Sequence, residues 1–142
     1  AVGQERSRAY RDALREAGLG DQAERAAVAA FTMDSGREKA RELWEAYGPL
    51  DALVCATDNM AVGALQYLKS QGVRVPEEVR LTGQGASSLS GVTTPAITSI
   101  RYFYEESGAN AASLLLERLE NPEVPAKEIK LGYAIVEHAS TL

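Results

Sequence analysis

The side chains able to do covalent or metal chemistry are few. His138 is the only histidine and Cys55 the only cysteine, so no second imidazole or thiolate completes a metal site. Cys55 lies in the apolar run Leu53-Val54-Cys55-Ala56, where a small buried hydrophobe is expected, and an internal disulfide has no second thiol. There is no Gly-x-Ser-x-Gly elbow and no Walker loop. Gly83-Gln84-Gly85 begins like a dinucleotide fingerprint, but position 88 is Ser and no obvious helix opens there. A hydrolase or transferase therefore has no nucleophile–base pair, and no cofactor is expected. The chemistry that remains is recognition. Polar and aromatic residues collect at four places: Phe31 to Ser35, Ala56 to Asn59, Gly83 to Ser88 and Arg101 to Tyr104. Sugar hydroxyls pair with Arg, Asp, Asn and Gln, and the apolar face of a pyranose lies on an aromatic ring. The inventory is that of a sugar site.

The elements that must position these groups follow from periodicity. Residues 5 to 17 predict a helix with Tyr10, Ala13, Leu14 and Ala17 on one face, stopped by Gly18 and Gly20. Ala26 to Phe31 is an apolar run of strand length, although alanine is a poor strand former. Asp34-Ser35-Gly36 opens a helix to about residue 47, broken by Gly48-Pro49. Leu53 to Ala56 reads as a strand buried on both faces. Thr57-Asp58 then starts a helix through Gln71. Val79 to Thr82 is a strand, Gly83 to Gly91 a loop rich in Gly and Ser, and Ile97 to Ile100 another strand. A long helix over 105 to 120 carries the stripe Ala109, Ala112, Leu115, Leu116, Leu119, and Ile129 to Val136 is a final strand. Alternating strands and helices predict an α/β fold with a parallel sheet flanked by helices. The four polar places then fall at the carboxyl ends of strands, where open parallel sheets bind ligands.

Bulk composition narrows the partners. The 142 residues are one domain's length, 45% hydrophobic and 25% charged, an ordinary globular balance. A net charge of −5 lacks the basic face that phosphate neutralisation requires, so this region is not expected to grip nucleic acid itself. No apolar stretch approaches the length of a membrane span, and no membrane partner is expected. The low cysteine count fits a reducing cytoplasm. The chain opens almost directly on an amphipathic helix, without an initiator Met or a signal-peptide pattern, as a piece of a longer protein would.

One segment goes further. Asp51-Ala52-Leu53-Val54-Cys55-Ala56-Thr57-Asp58-Asn59-Met60-Ala61-Val62-Gly63-Ala64 closely resembles the signature D-A-i-f-a-x-N-D-x-m-A-x-G-a of the lac repressor/galactose repressor family. Gly72 to Val79 resembles that family's G-x-x-V-P-x-D-v, and Pro95 to Ile100 its P-x-L-T-T-V. Ser107-Gly108 with Ala111, Ala112 and Leu115 is similar to m-G-x-x-A-x-x-x-L, and Ser140-Thr141 to the closing R-x-S-T. Arg6 with Tyr10 resembles R-x-x-G-[YF], with Ala9 in place of the Gly. The run Tyr102 to Gly108 is similar to sucrose- and trehalose-type repressors.

The resemblance implies a periplasmic-binding-protein-like fold of two lobes, with effector bound between them and a helix-turn-helix elsewhere in the protein. On that plan residues 1–101 form most of the carboxyl-side lobe. Residues 102–136 supply a crossover, helix and strand of the amino-side lobe, 137–142 return, and the helix-turn-helix is not in this chain. The implied function is effector binding and dimerisation in a cytoplasmic transcriptional repressor, with operator DNA reached only through the absent module. The implied effector is a small sugar or sugar phosphate. Arg6 falls at the family's effector clamp, Phe31 at a stacking ring, Thr57 at the family's Asn, and Asp58 at its Asp, where capping the following helix is the competing role. Tyr102 and Tyr104 fall at the crossover, where the family's side chains face the cleft, and Gln84 is a further candidate contact. The family's Gly-[FY]-Asp-[DN] is here Gly83-Gln84-Gly85-Ala86, without the carboxylate that binds sugar hydroxyls. The implied homodimer contact uses Met60, Ala64, Tyr67 and Leu89. Two other readings compete: a periplasmic sugar-binding protein for transport, and an enzyme on the same kind of sheet.

Overall fold

The computed structural model describes residues 2–142. Helix α1 spans Val2–Glu16 and is followed by a short 3-10 turn at Gly20–Gln22. Helix α2 (Met33–Tyr47), strand β1 (Ala52–Val54) and helix α3 (Asp58–Ser70) come next. Strand β2 (Arg80–Gln84), the five-residue helix α4 (Ser88–Val92) and strand β3 (Thr98–Tyr102) follow. The chain ends through helix α5 (Tyr104–Glu120) and strand β4 (Tyr133–Val136).

The sheet has the order β1-β2-β3-β4. The first three strands are parallel, with Leu53 opposite Leu81 and Thr82 opposite Thr98. Strand β4 runs antiparallel to β3, from Ser99 opposite Val136 to Tyr102 opposite Tyr133. The sheet is thus mixed where periodicity alone predicted parallel pairing throughout. The reason lies in α5, none of whose residues is buried. A helix laid on the sheet face would carry the chain back for a parallel strand. Here the chain goes out along α5 and returns beside the strand it left.

The core lies between the sheet and the pair α2 and α3, around Leu53, Leu65, Leu68, Val79, Leu81 and Ile97. Burying each large aliphatic side chain here contributes roughly 1.5–3 kcal/mol. Helix α3 is buried along most of its length, from Ala61 through Leu65 and at Tyr67 and Leu68. The two helices approach so closely because each presents a glycine to the other. A Cβ on Gly36 would collide with the Met60 backbone, and one on Gly63 with the Met33 carbonyl oxygen.

Three further expectations change. Ala26 to Phe31 forms no strand, and Val28 is 95% exposed. An alanine-rich segment without a ladder neighbour has nothing to hold it in a sheet. The loop after β2 is partly helical, as α4, and β2 itself continues to Gln84. Helix α2 begins three residues early, because the Thr32 hydroxyl accepts the Ser35 N–H and caps it.

The tail explains the closing Ser-Thr pair. Ser140 is fully buried between β2 and β3. Its hydroxyl donates to the Leu81 carbonyl (2.6 Å) and accepts the Thr98 N–H (2.8 Å). Its backbone donates to Ala96 O and accepts from Leu81 N, both at 3.0 Å. The Thr98 hydroxyl meets that of Thr141 at 2.6 Å.

Candidate effector site

Strands β1, β2 and β3 end on the same side, and the groups named from sequence sort themselves there by what already engages them. At the end of β1, the Ala56 carbonyl accepts a 2.6 Å hydrogen bond from Arg6 Nη1. That bond ties α1 to the sheet across 50 residues of sequence. The same guanidinium lies 5.8 Å from the centroid of the Tyr102 ring, within cation–π range. Tyr102, the last residue of β3, donates its hydroxyl to Gln84 Oε1 (2.8 Å) at the end of β2. The ring of Tyr104 stands 5.8 Å from that of Tyr102, tilted by 59°. Arg6, Gln84, Tyr102 and Tyr104 therefore form one group. An open cavity of about 500 Å³ adjoins it, lined among others by Gly85, Ala86, Arg101, Tyr104, Glu105 and Glu106.

Thr57 and Asp58 are engaged elsewhere. Thr57 is the cap of α3, its hydroxyl accepting the Met60 N–H at 3.3 Å. The capping role weighed for Asp58 thus belongs to Thr57. Asp58 is 3% exposed, and its two carboxylate oxygens face the protein. Oδ1 accepts the Ser99 hydroxyl at 2.6 Å and Oδ2 accepts the Ser87 N–H at 2.6 Å. Ser99 Oγ in turn accepts the Ala86 N–H at 2.9 Å. A buried carboxylate is costly without such partners. Gly83 makes the room, since a Cβ there would strike the Asp58 carboxylate.

The arrangement fixes the turn that borders the cavity. Gly85 has φ +125° and Ala86 φ +47°. A left-handed alanine costs on the order of 1–3 kcal/mol unless its surroundings hold it. Here three consecutive N–H groups are held: Gly85 by Ile100 O (2.8 Å), Ala86 by Ser99 and Ser87 by Asp58. Asp58 and Ser99 are thus the anchor of the cavity wall, and Ser87 and Ser99 were missed in the sequence. Serines are too common for any spacing rule to single these two out.

Phe31 stands apart. It is half exposed, ahead of α2, and among the described residues its ring meets neither tyrosine. The four dimer candidates divide. Ala64 (1% exposed) and Tyr67 (7%) are packed into the core of the chain itself. Their helix is covered by α2 and β2, which is the physical reason. Met60 and Leu89 are half-buried against that core. Cys55 is buried, and desolvation pushes its thiol up to about 12, which keeps it protonated and unreactive near neutrality. No cluster of metal-ligating side chains occurs among the described residues. Among the described residues no helix is long and apolar enough to cross a membrane.

Comparison with known proteins agrees with this geometry. The sequence matches the family described as periplasmic binding protein-like domain over residues 1–141. It is 36% identical over 118 residues to the HTH-type transcriptional regulator CelR of Thermobifida fusca, covering 83% of this chain and 35% of that protein. The solved structure of a transcriptional regulator CelR–cellobiose complex superposes with a TM-score of 0.86 at 30% identity, covering 97% of this chain and 42% of that one. A LacI-type transcription regulator from Bifidobacterium animalis subsp. lactis gives a TM-score of 0.88 at 25% identity, over 100% of this chain and 51% of that one. The chain spans from about a third to half the length of these proteins. It belongs to the periplasmic binding protein-like domain family.

Proposed function

We propose that this chain binds a sugar effector at the carboxyl ends of β1, β2 and β3, and that sugar binding controls operator DNA binding by a helix-turn-helix module elsewhere in the protein. The carrying observation is the convergence of Arg6, Gln84 and Tyr102 at those strand ends. A guanidinium and an amide engaged with Tyr102, a residue that lines an open cavity with Tyr104, are groups of the kind that hydroxyl-rich rings bind to. The CelR–cellobiose complex, a sugar-bound relative, supports the reading. Transport in the periplasm is less favoured, because the relatives named above are transcription regulators. An enzyme reading lacks a nucleophile–base pair and is set aside. The same kinship supports work in the cytoplasm. Calorimetry of the intact protein against mono- and disaccharides and their phosphates tests the proposal, and silence across the panel with the fold intact defeats it.

The domain plan is part of the same proposal: residues 1–101 in the carboxyl-side lobe, 102–136 reaching into the amino-side lobe, 137–142 returning. Its support is α5, where Leu115, Leu116 and Leu119 are exposed, the last at 69%. Apolar stripes of this kind normally have a protein surface to cover them. The intact protein is proposed to act as a homodimer, with Met60 and Leu89 the remaining contact candidates. Sedimentation as a monomer at micromolar concentration excludes that part.

A further inference from the structure

We infer that Ser99 and Asp58 are positioning residues of the effector site: they set its affinity by holding the turn 85–87 out of the cavity, without touching the effector. The inference rests on the sugar-binding reading above. Ser99 is 1% exposed and Asp58 3%, so both are closed to a molecule in the cavity. What they hold is the point where β2 leaves β3. The last ladder bond there runs from Gly85 N–H to Ile100 O at 2.8 Å. The next two N–H groups turn inward to side chains instead, Ala86 to Ser99 Oγ (2.9 Å) and Ser87 to Asp58 Oδ2 (2.6 Å).

The competing path is written in the register. Gln84 lies opposite Ile100, and two more residues of the same pairing would set Ala86 beside Tyr102. Gly85, Ala86 and Tyr102 all line the cavity. A strand running straight on would therefore enter the space that the turn leaves open. Local preference does not favour the turn, since Ala86 has φ +47°, a left-handed conformation that a residue with a Cβ rarely adopts. Turn and straight strand are two arrangements of one segment, and the buried acceptors tip the balance toward the turn. Ser99 joins the parts, because one hydroxyl donates to Asp58 Oδ1 (2.6 Å) and accepts from Ala86. It also stands in β3, the strand that ends on Tyr102, so it fixes the turn relative to the opposite side of the site.

Calorimetry and hydrogen exchange on the intact protein test this. Glucose, galactose, cellobiose, lactose, maltose, trehalose and sucrose are the probes, and the tightest binder among them is the reference. Ser99→Ala is expected to bind that sugar about tenfold or more weakly, because only the fraction of molecules with the turn formed accepts it. Without sugar, the amides of 85–87 should exchange faster in Ser99→Ala while those of α3 keep wild-type protection. Ser99→Thr keeps the hydroxyl and should restore both. Ser99→Cys, a weaker hydrogen-bonding group, shows the same two effects at smaller amplitude if Ser99→Ala does not fold. Leu68→Ala is the control for plain loss of stability. Leu68 is fully buried toward the far end of α3, and its variant should melt earlier yet keep wild-type affinity below its melting temperature. Wild-type affinity in folded Ser99→Ala overturns the inference and leaves sugar binding standing. So does equal weakening by Leu68→Ala, or a loss of affinity that Ser99→Thr does not recover. Silence of every sugar, with the wild-type protein folded, overturns the sugar-binding reading and this inference together.

Discussion

Asp58 and Ser99 meet through a 2.6 Å hydrogen bond across 41 residues of sequence, joining the start of α3 to the middle of β3 beneath the cavity wall. Removing the carboxylate strands the Ser99 hydroxyl and the Ser87 N–H together. Asp58→Ala is therefore expected to destabilise the protein by about 2–4 kcal/mol, read by chemical denaturation. Asp58→Asn keeps the shape but puts an NH₂ where one of the two donors needs an acceptor, and should recover only part of the loss. A wild-type denaturation midpoint for Asp58→Ala contradicts the anchoring role.

Gly63 faces the Met33 carbonyl oxygen where α2 and α3 cross. Gly63→Ala must push the helices apart and is expected to cost about 1–3 kcal/mol, like other overpacked cores. Gly108→Ala in α5 meets no atom of this chain within 4 Å. Its expected effect has the opposite sign, a gain of about 0.5–1 kcal/mol from better helix formation. Thermal melts of the two variants provide the comparison.

Arg6→Ala is expected to weaken sugar binding by about 1.5–3 kcal/mol, the value of a charged hydrogen bond. Arg8→Ala is the control. Arg8 sits two residues along α1 in an exposed pair with Glu5, and its loss should leave affinity unchanged. Equal effects in calorimetry mean that Arg6 does not touch the effector.

Cys55 is expected to resist thiol reagents at pH 8 in the native protein and to react at once in denaturant. Burial raises the thiol from its ordinary 9.0 to about 12, so it penalises only the thiolate. The native state is unaffected below pH 9, and stability declines as pH rises from there toward 12. Cys55→Ala should flatten that alkaline slope in denaturation curves. Fast native labelling or an unchanged slope contradicts the buried position.

The alternation of strands and helices was legible because β1 carries an apolar run, β2 and β3 follow turn-forming Gly and Pro residues, and α3 and α5 carry helical periodicity. The turning of β4 was not, since a strand has the same local pattern whichever way it runs. Ala26 to Phe31 misled because apolar content is a local property and pairing is not. Of the site, Gln84, Tyr102 and Tyr104 were named at strand ends and Arg6 by the family resemblance, and the four lie together. Asp58 was found with its role open, because its partners Ser87 and Ser99 lie 29 and 41 residues away. That Tyr67 is buried within its own chain was not legible, because an amphipathic pattern does not say how much of a helix its neighbours cover. Gly36 and Gly63 did carry a signal. A glycine inside a helix costs about 1 kcal/mol against alanine, which itself asks for a close neighbour.

The position of Ser140 sets the order in which the molecule can be assembled. Its bonds to Leu81 and Thr98 span 59 and 42 residues. During synthesis β2 and β3 emerge long before the residue that satisfies both of them. Until residue 140 arrives, the Leu81 N–H and C=O and the Thr98 N–H have only water to bond. The junction at the amino ends of β2 and β3 therefore closes late, and contacts this distant in sequence make for slow folding. A ribosome stalled before that codon holds a chain in which β2 and β3 can pair while the entrance to that pair is still wet.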